Sequence, residues 1–196
     1  MDGLIALFTA ALALMGSPGP ATLSSAAAGA AYRLRAVPYV AGITLGTITV
    51  MVLVAAGVTG LITSLPGAAP VISALAAAYI LYLAWRIATA PPVGALDRQA
   101  AAPPFIGGYA MAVVNPKAYG EMGALFSGFP LVPHDPVTDG TLKVALLSGL
   151  ALAVNATWMS LGAGLARAMQ NPRTSRALNV TFAVLLVASV VVAVLL

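Results

Sequence analysis

Six apolar stretches, each about as long as a bilayer is thick, leave this chain little choice of fold. A spanning helix needs about 20 mostly apolar residues. Cutting the sequence at its polar and proline-rich clusters leaves candidates at 4–31, 39–64, 69–90, 105–129, 142–167 and 177–196. The intervening segments "YRLRAVP", "SLPGAAP", "PPVGALDRQAAAPP", "PLVPHDPVTDG" and "MQNPRTSR" all carry turn or breaker residues. With 61% hydrophobic residues and only 9 basic and 5 acidic residues in 196, the chain reads as an all-α integral membrane protein. The first stretch is expected to be a retained helix, because Met1-Asp2 supplies no positive leader region and the apolar run is too long for a cleaved signal.

The same inventory excludes several functions. The nine Lys and Arg residues are scattered rather than blocked, so nucleic-acid binding has no support. Cysteine is absent, which removes disulfides, thiol redox chemistry and thiolate metal sites. The lone His134 lies in a loop, has no assigned role and cannot build an imidazole cluster. No cofactor is implied, and no nucleophile, base and orienter are arranged together, so the chain is not expected to be an enzyme.

Loop charge sets the topology. Arg33 and Arg35 lie in the first loop, Arg86 and Arg98 at or near the third, and Arg167, Arg173 and Arg176 in the fifth. The second loop has no basic residue, and the fourth has only Lys143 at its edge, near His134, Asp135 and Asp139. The positive-inside rule then puts the odd loops in the cytoplasm and both termini outside. Snorkelling at the headgroups accounts for these arginines without further function.

Three spans followed by three more suggest an inverted repeat, with one unit over about 1–91 and the other over about 104–196. Gly42 and Gly57 are matched by Gly149 and Gly164 at a common offset of 107 (149 − 42 and 164 − 57). The first and fourth spans are each interrupted by proline, at "SPGP" (17–20) and "NPK" (115–117). Pro116 minus Pro18 gives 98, nine short of 107, and a longer fourth loop absorbs the difference.

A proline lacks the amide hydrogen and displaces the carbonyl four residues earlier. Pro18 and Pro20 should therefore free the carbonyls of Leu14 and Gly16, and Pro116 that of Ala112. Unpaired carbonyls cannot face lipid, so both breaks are expected to point into the bundle. There are 14 residues from Leu4 to Ser17 and 14 from Pro18 to Ala31, which puts the first break near the bilayer midplane. About 11 residues of the fourth span precede Pro116. Each break should create a half-helix N-terminus that attracts anions, capped by Ser17 or Asn115. An ammonium would suit the freed carbonyls.

Lys117 and Glu121 are the charged residues expected well inside a span. Four residues apart on one helical face, they can form a structural ion pair. Alternatively, Lys117 strengthens the anion-seeking terminus and Glu121 loads and releases protons. Thr44, Thr47, Asn155 and Thr157 are read first as interhelical hydrogen-bonding groups, and Gly42 and Gly46 as a close-packing pair. Tyr79, Tyr82 and Trp85 suggest an interfacial belt. Thr44, Thr47, Tyr79, Asn155 and Trp158 are also candidate cavity-lining residues.

Taken in order, "SPGP" (17–20), "AYRLRAVPYVAGITLGT" (31–47), "AAYILYLAWR" (77–86) and "VVNPKAYGEMGALFSGF" (113–129) resemble the LysE (RhtB) family of amino-acid exporters. The final third is similar only in hydropathy and spacing. The resemblance implies a bacterial inner-membrane exporter of amino acids or related small metabolites, driven by protons. Pro18, Gly19, Pro20, Asn115, Pro116 and Lys117 stand at the family's motif positions. Gly120 and Glu121 depart from the apolar or aromatic residues usual there, which puts the usual substrates in doubt.

The expectation is one domain of six transmembrane helices in two inverted repeats, working by alternating access. Its substrate-binding residues would be Ser17, Pro18, Gly19, Pro20, Ala21, Thr22, Asn115, Pro116 and Lys117, with Glu121 coupling protons. A carboxylate would lie near Ala21, Thr22 and Lys117, and an ammonium near the freed carbonyls or Glu121. Membrane lipid is a partner, and small-residue faces permit a homodimer without requiring one. The rivals are a non-transporting scaffold or accessory subunit, and an exporter of another small solute or of a metal ion. A metal route should show more His, Asp or Glu in the spans.

Overall fold

The computed structural model describes residues 2–57 and 102–165 continuously, with scattered positions in 78–89 and 171–187. The third and sixth expected spans lie mostly outside the described residues. The helices are α1 (Asp2–Gly16), α2 (Pro20–Tyr32), α3 (Val37–Ala55), α4 (Phe105–Val113), α5 (Pro116–Gly128) and α6 (Pro136–Leu165), with a short 3-10 turn at Arg33–Ala36. No strand occurs among the described residues. Two stretches there, Pro20–Ala55 and Pro136–Gly164, are long and apolar enough to cross a membrane.

The prolines set the element boundaries. α1 stops at Gly16, and Gly19 in extended conformation (φ −170°, ψ −177°) delivers the chain to Pro20 at the first turn of α2. In the other half, Asn115 (φ −75°, ψ 109°) delivers Pro116 to α5, because a residue before proline is pushed out of the helical region. Proline loses nothing at the first helical position, where its missing N–H would be unpaired anyway. α2 and α5 are each 13 residues long and both open on a proline. Arg33 turns the chain from α2 toward α3 with a positive φ of 52°.

One boundary corrects the sequence reading. α6 begins at Pro136 rather than near 142, because Asp135 caps it and "DP" opens a helix instead of ending a loop.

Two apolar cores lie on opposite sides of the breaks. The first joins Leu7, Ala11 and Met15 of α1 to Met51 of α3, Met122 and Leu125 of α5, and Leu147 of α6. The second joins Ala28 of α2, Tyr39, Val40 and Ile43 of α3, and Met111 and Ala112 of α4, with Met159 of α6 packed against it. α3 lies along α4, α2 along α6, and α1 touches α5. In the second core, helices meet backbone to backbone. A Cβ added at Gly29 would overlap the Met159 carbonyl, one at Gly42 that of Phe105, one at Gly108 that of Tyr39, and one at Gly162 that of Ala26. The close-packing expectation for Gly42 and Gly46 therefore holds, Gly46 meeting Ala112 and Tyr109. Outward-facing Ile5, Leu12, Leu45 and Leu152 give the bundle an apolar exterior suited to lipid.

Candidate functional site

Polar groups gather between the two cores, at the level of the breaks. At the α5 break, the Asn115 side chain accepts from the Lys117 backbone N–H at 3.2 Å, the capping role its position suggests. The α2 break is built differently. Ser17 does not cap; its hydroxyl donates back to the Leu14 carbonyl at 2.7 Å. Gly19 holds the cap position, and its N–H donates to Thr22 Oγ1 at 2.9 Å. The cap residue moves to 19 because Pro18 and Pro20 together hold 17–19 out of the helix.

The carbonyls freed by proline, where an ammonium is expected to be favoured, each already accept a hydrogen bond within the protein. Leu14 O accepts from Ser17 N at 3.3 Å and from Lys117 Nζ at 3.2 Å, in addition to the Ser17 hydroxyl. Gly16 O accepts from Trp158 Nε1 at 3.2 Å. Ala112 O accepts from Asn115 N at 3.3 Å. Two of the three are thus satisfied by side chains from the opposite half of the chain, as backbone buried away from water requires.

Lys117 and Glu121 do pair, at 2.5 Å, with side chains 27% and 14% exposed. Lys117 Nζ also donates to Ser17 Oγ at 3.0 Å, so one amine ties α5 to the end of α1. Glu121 and Lys117 open onto a cavity of about 30 Å³, room for a water or two and too little for an amino acid. Gly19, Pro20, Ala21, Thr22 and Asn115 also line it, and so do Thr47 and Asn155. The structure therefore brings together seven of the expected binding and cavity residues around the ion pair, with little space left between them.

The remaining candidates lie elsewhere. Pro18 is exposed, against the expectation that the whole break faces inward, and Ser17 and Pro116 sit beside the cavity without lining it. Thr44 is buried one step behind, where Asn155 Nδ2 donates to its Oγ1 at 3.2 Å and Ser25 Oγ donates to Asn155 Oδ1 at 3.3 Å. Trp158 does not line this cavity; it borders a separate open groove of about 770 Å³ with Ala26, Thr157 and Gly162. Tyr79 and Tyr82 lie outside the described residues.

A second charged pair was missed. Lys143, read as a loop-edge residue, is 0% exposed and bonds Asp139 Oδ2 at 2.7 Å and the Phe126 carbonyl at 2.8 Å. Asp139 Oδ1 in turn accepts from the backbone N–H groups of Leu131 and Val132. The pair clasps the end of α5 and the following loop to α6. Its signal was the four-residue Asp-to-Lys spacing, which becomes legible once the helix is started at Pro136.

Comparison with known proteins agrees with this architecture in kind. A family model described as LysE type translocator matches residues 12–196. The chain is 32% identical over 188 residues to a protein named cysteine/O-acetylserine efflux protein from Salmonella choleraesuis (strain SC-B67), covering 94% of this chain and 93% of that one. The protein of that name from Salmonella typhimurium shows the same identity and coverage, and that from Salmonella typhi is 31% identical. No solved structure matches.

Proposed function

The chain belongs to the LysE type translocator family, a family of transporters and not of enzymes, and from that premise we propose that it exports a small amino acid or a close metabolic derivative. The observation that carries this reading is the small cavity between two proline-broken helices, with the charged Lys117 and Glu121 on its wall. A zwitterion needs groups of both signs within a few ångströms, in a place shielded from lipid. The wall offers a carboxylate, an ammonium and the capped N-terminus of α5, where backbone N–H groups favour a carboxylate. Met15, Ala118, Met122, Ala151 and Val154 supply the apolar part of the lining, and in this proposal the site widens to admit a solute with a short side chain. Cysteine and O-acetylserine, which name the relatives' cargo, head the list of substrates to test.

In this proposal the two three-helix repeats are inverted and rock against each other about the cavity. The protein lies in the bacterial inner membrane with both termini outside. Glu121 takes up a proton from one side and releases it to the other, so that export runs on the proton gradient. The test is flux from proteoliposomes loaded with a panel of amino acids under an imposed pH gradient. Substrate-dependent, gradient-driven efflux that is lost in Glu121→Gln is expected. Absence of flux across the panel would favour the scaffold reading, and full flux by Glu121→Gln would remove the proton role.

A further inference from the structure

Lys117 presents its amine to a set of acceptors that would suit a substrate equally well. A lysine ammonium has three hydrogens to donate. Here Nζ meets three acceptors: the Leu14 carbonyl at 3.2 Å, Ser17 Oγ at 3.0 Å and Glu121 Oε1 at 2.5 Å. The carbonyl is available because Pro18 supplies no N–H to it. The carboxylate balances the positive charge. An α-ammonium carries the same three donors and the same charge.

Two further features fit an occupied subsite. The adjoining cavity holds only about 30 Å³, so no amino acid enters while the amine stays where it is. The lysine stem also crosses Gly19, where an added Cβ would come within 2.8 Å of its Cδ and 3.1 Å of its Nζ. The missing side chain at 19 is what lets Lys117 reach from α5 to the end of α1.

We propose that Lys117 is an internal competitor for substrate: its amine fills an ammonium subsite made by Leu14, Ser17 and Glu121, and withdraws when an amine-bearing substrate takes the same acceptors. The inference rests on the export reading and deepens it. It gives Lys117 a different task from anchoring a carboxylate while the site is closed. Because one ammonium replaces another, Glu121 is never left as an uncompensated charge in the bundle, a condition that would be strongly destabilising. Selectivity follows for solutes with a free primary amine over their N-acylated forms.

Ethylammonium, which has the amine and no carboxylate, separates the two tasks. In the full chain in lipid nanodiscs, Lys117→Met keeps the stem and deletes the competitor. Its affinity for ethylammonium, read by calorimetry or thermal shift, should exceed that of the unaltered protein by about tenfold or more. Gly19→Ala forces the flexible stem aside and should produce a gain in the same direction with every charge retained. Adding Glu121→Gln to Lys117→Met should abolish the gain. No gain in either single variant, or a gain that survives Glu121→Gln, overturns the proposal. The probe is not a transported amino acid, so failure of the export reading shows separately, as absent flux beside an intact ethylammonium gain.

Discussion

The two sides of the cavity are packed by different means. On the side of α2 and α4, glycines bring backbones into contact: Gly29 against Met159, Gly162 against Ala26, and Gly42 and Gly108 across the α3–α4 seam. On the side of α1 and α5, added Cβ atoms at Gly120, Gly123 and Gly149 would meet nothing, and the core is filled by Met15, Met51, Met122 and long leucines. Backbone seams are shape-specific and hold helices as pairs, as small-residue interfaces do in membranes. Methionine is flexible and repacks easily. The α2–α6 and α3–α4 pairs are thus suited to move as units, while the α1–α5 contact is suited to open. Between them, Lys117 joins α5 to α1 through hydrogen bonds that a ligand can replace.

The sharpest way to break this contrast is to tether each side. The chain has no native cysteine, so introduced pairs stand alone. Cross-linking Leu7→Cys to Leu125→Cys across α1 and α5 should lower proteoliposome flux by about tenfold or more, because a conformational step is blocked. Cross-linking Ala28→Cys to Met159→Cys, within the α2–α6 pair, should leave flux within about twofold. The reverse result would assign the moving contact to the glycine side.

Next in size is the clasp on the α1–α5 side. Asp139→Ala leaves Lys143 buried with one carbonyl partner, and should destabilise the protein by about 3 kcal/mol, measured by reversible unfolding in mixed micelles. Restoring a neutral core with Lys143→Met in the same chain should recover much of that loss. If Asp139→Ala is silent, the pair does not hold α5 to α6.

Glycine substitutions then compare the two packings directly. Gly29→Ala must push α2 and α6 apart and should cost about 1–3 kcal/mol, whereas Gly123→Ala fills open space and should change stability by less than about 0.5 kcal/mol. Equal effects would erase the distinction on which the comparison rests.

The smallest effect is expected at the start of α6. Asp135 is held below the usual carboxylate range by hydrogen bonds from the Thr138 hydroxyl, then from the Thr138 and Val137 backbone N–H groups. A carboxyl whose folded-state pKa is lowered stabilises the fold above its unfolded value, and loses that contribution as pH falls through the folded one. Asp135→Asn removes that contribution, so stability should be slightly lower at neutral pH and converge on that of the unaltered protein at acid pH, flattening the acid limb of the profile.

What the sequence revealed follows from how local each cause is. Both helix breaks were legible, because a proline acts on its own neighbourhood, and the Asn115 cap follows from its place before Pro116. Ser17 was misassigned because two prolines compete for one cap, and the pair shifts it to Gly19. The partners of the freed carbonyls were not legible: Trp158 reaches Gly16, and Lys117 reaches Leu14, across more than 100 positions. Lys143 was hidden because "DPVTDG" reads as a turn by residue type, although Asp-Pro is also a helix start. Charge spacing supplied the Lys117–Glu121 pair, yet only the fold shows that the lysine also seals the space beside it.

The claim on which the rest depends is that the cavity between the broken helices receives the substrate. Ala118 is buried on its wall beside Lys117, whereas Gly149 faces open space on α6. In vesicles that support efflux, a permeant maleimide should label Ala118→Cys more slowly when a transported amino acid is present, and should label Gly149→Cys at an unchanged rate. A transport-competent Ala118→Cys protein whose labelling is indifferent to saturating substrate would contradict the account.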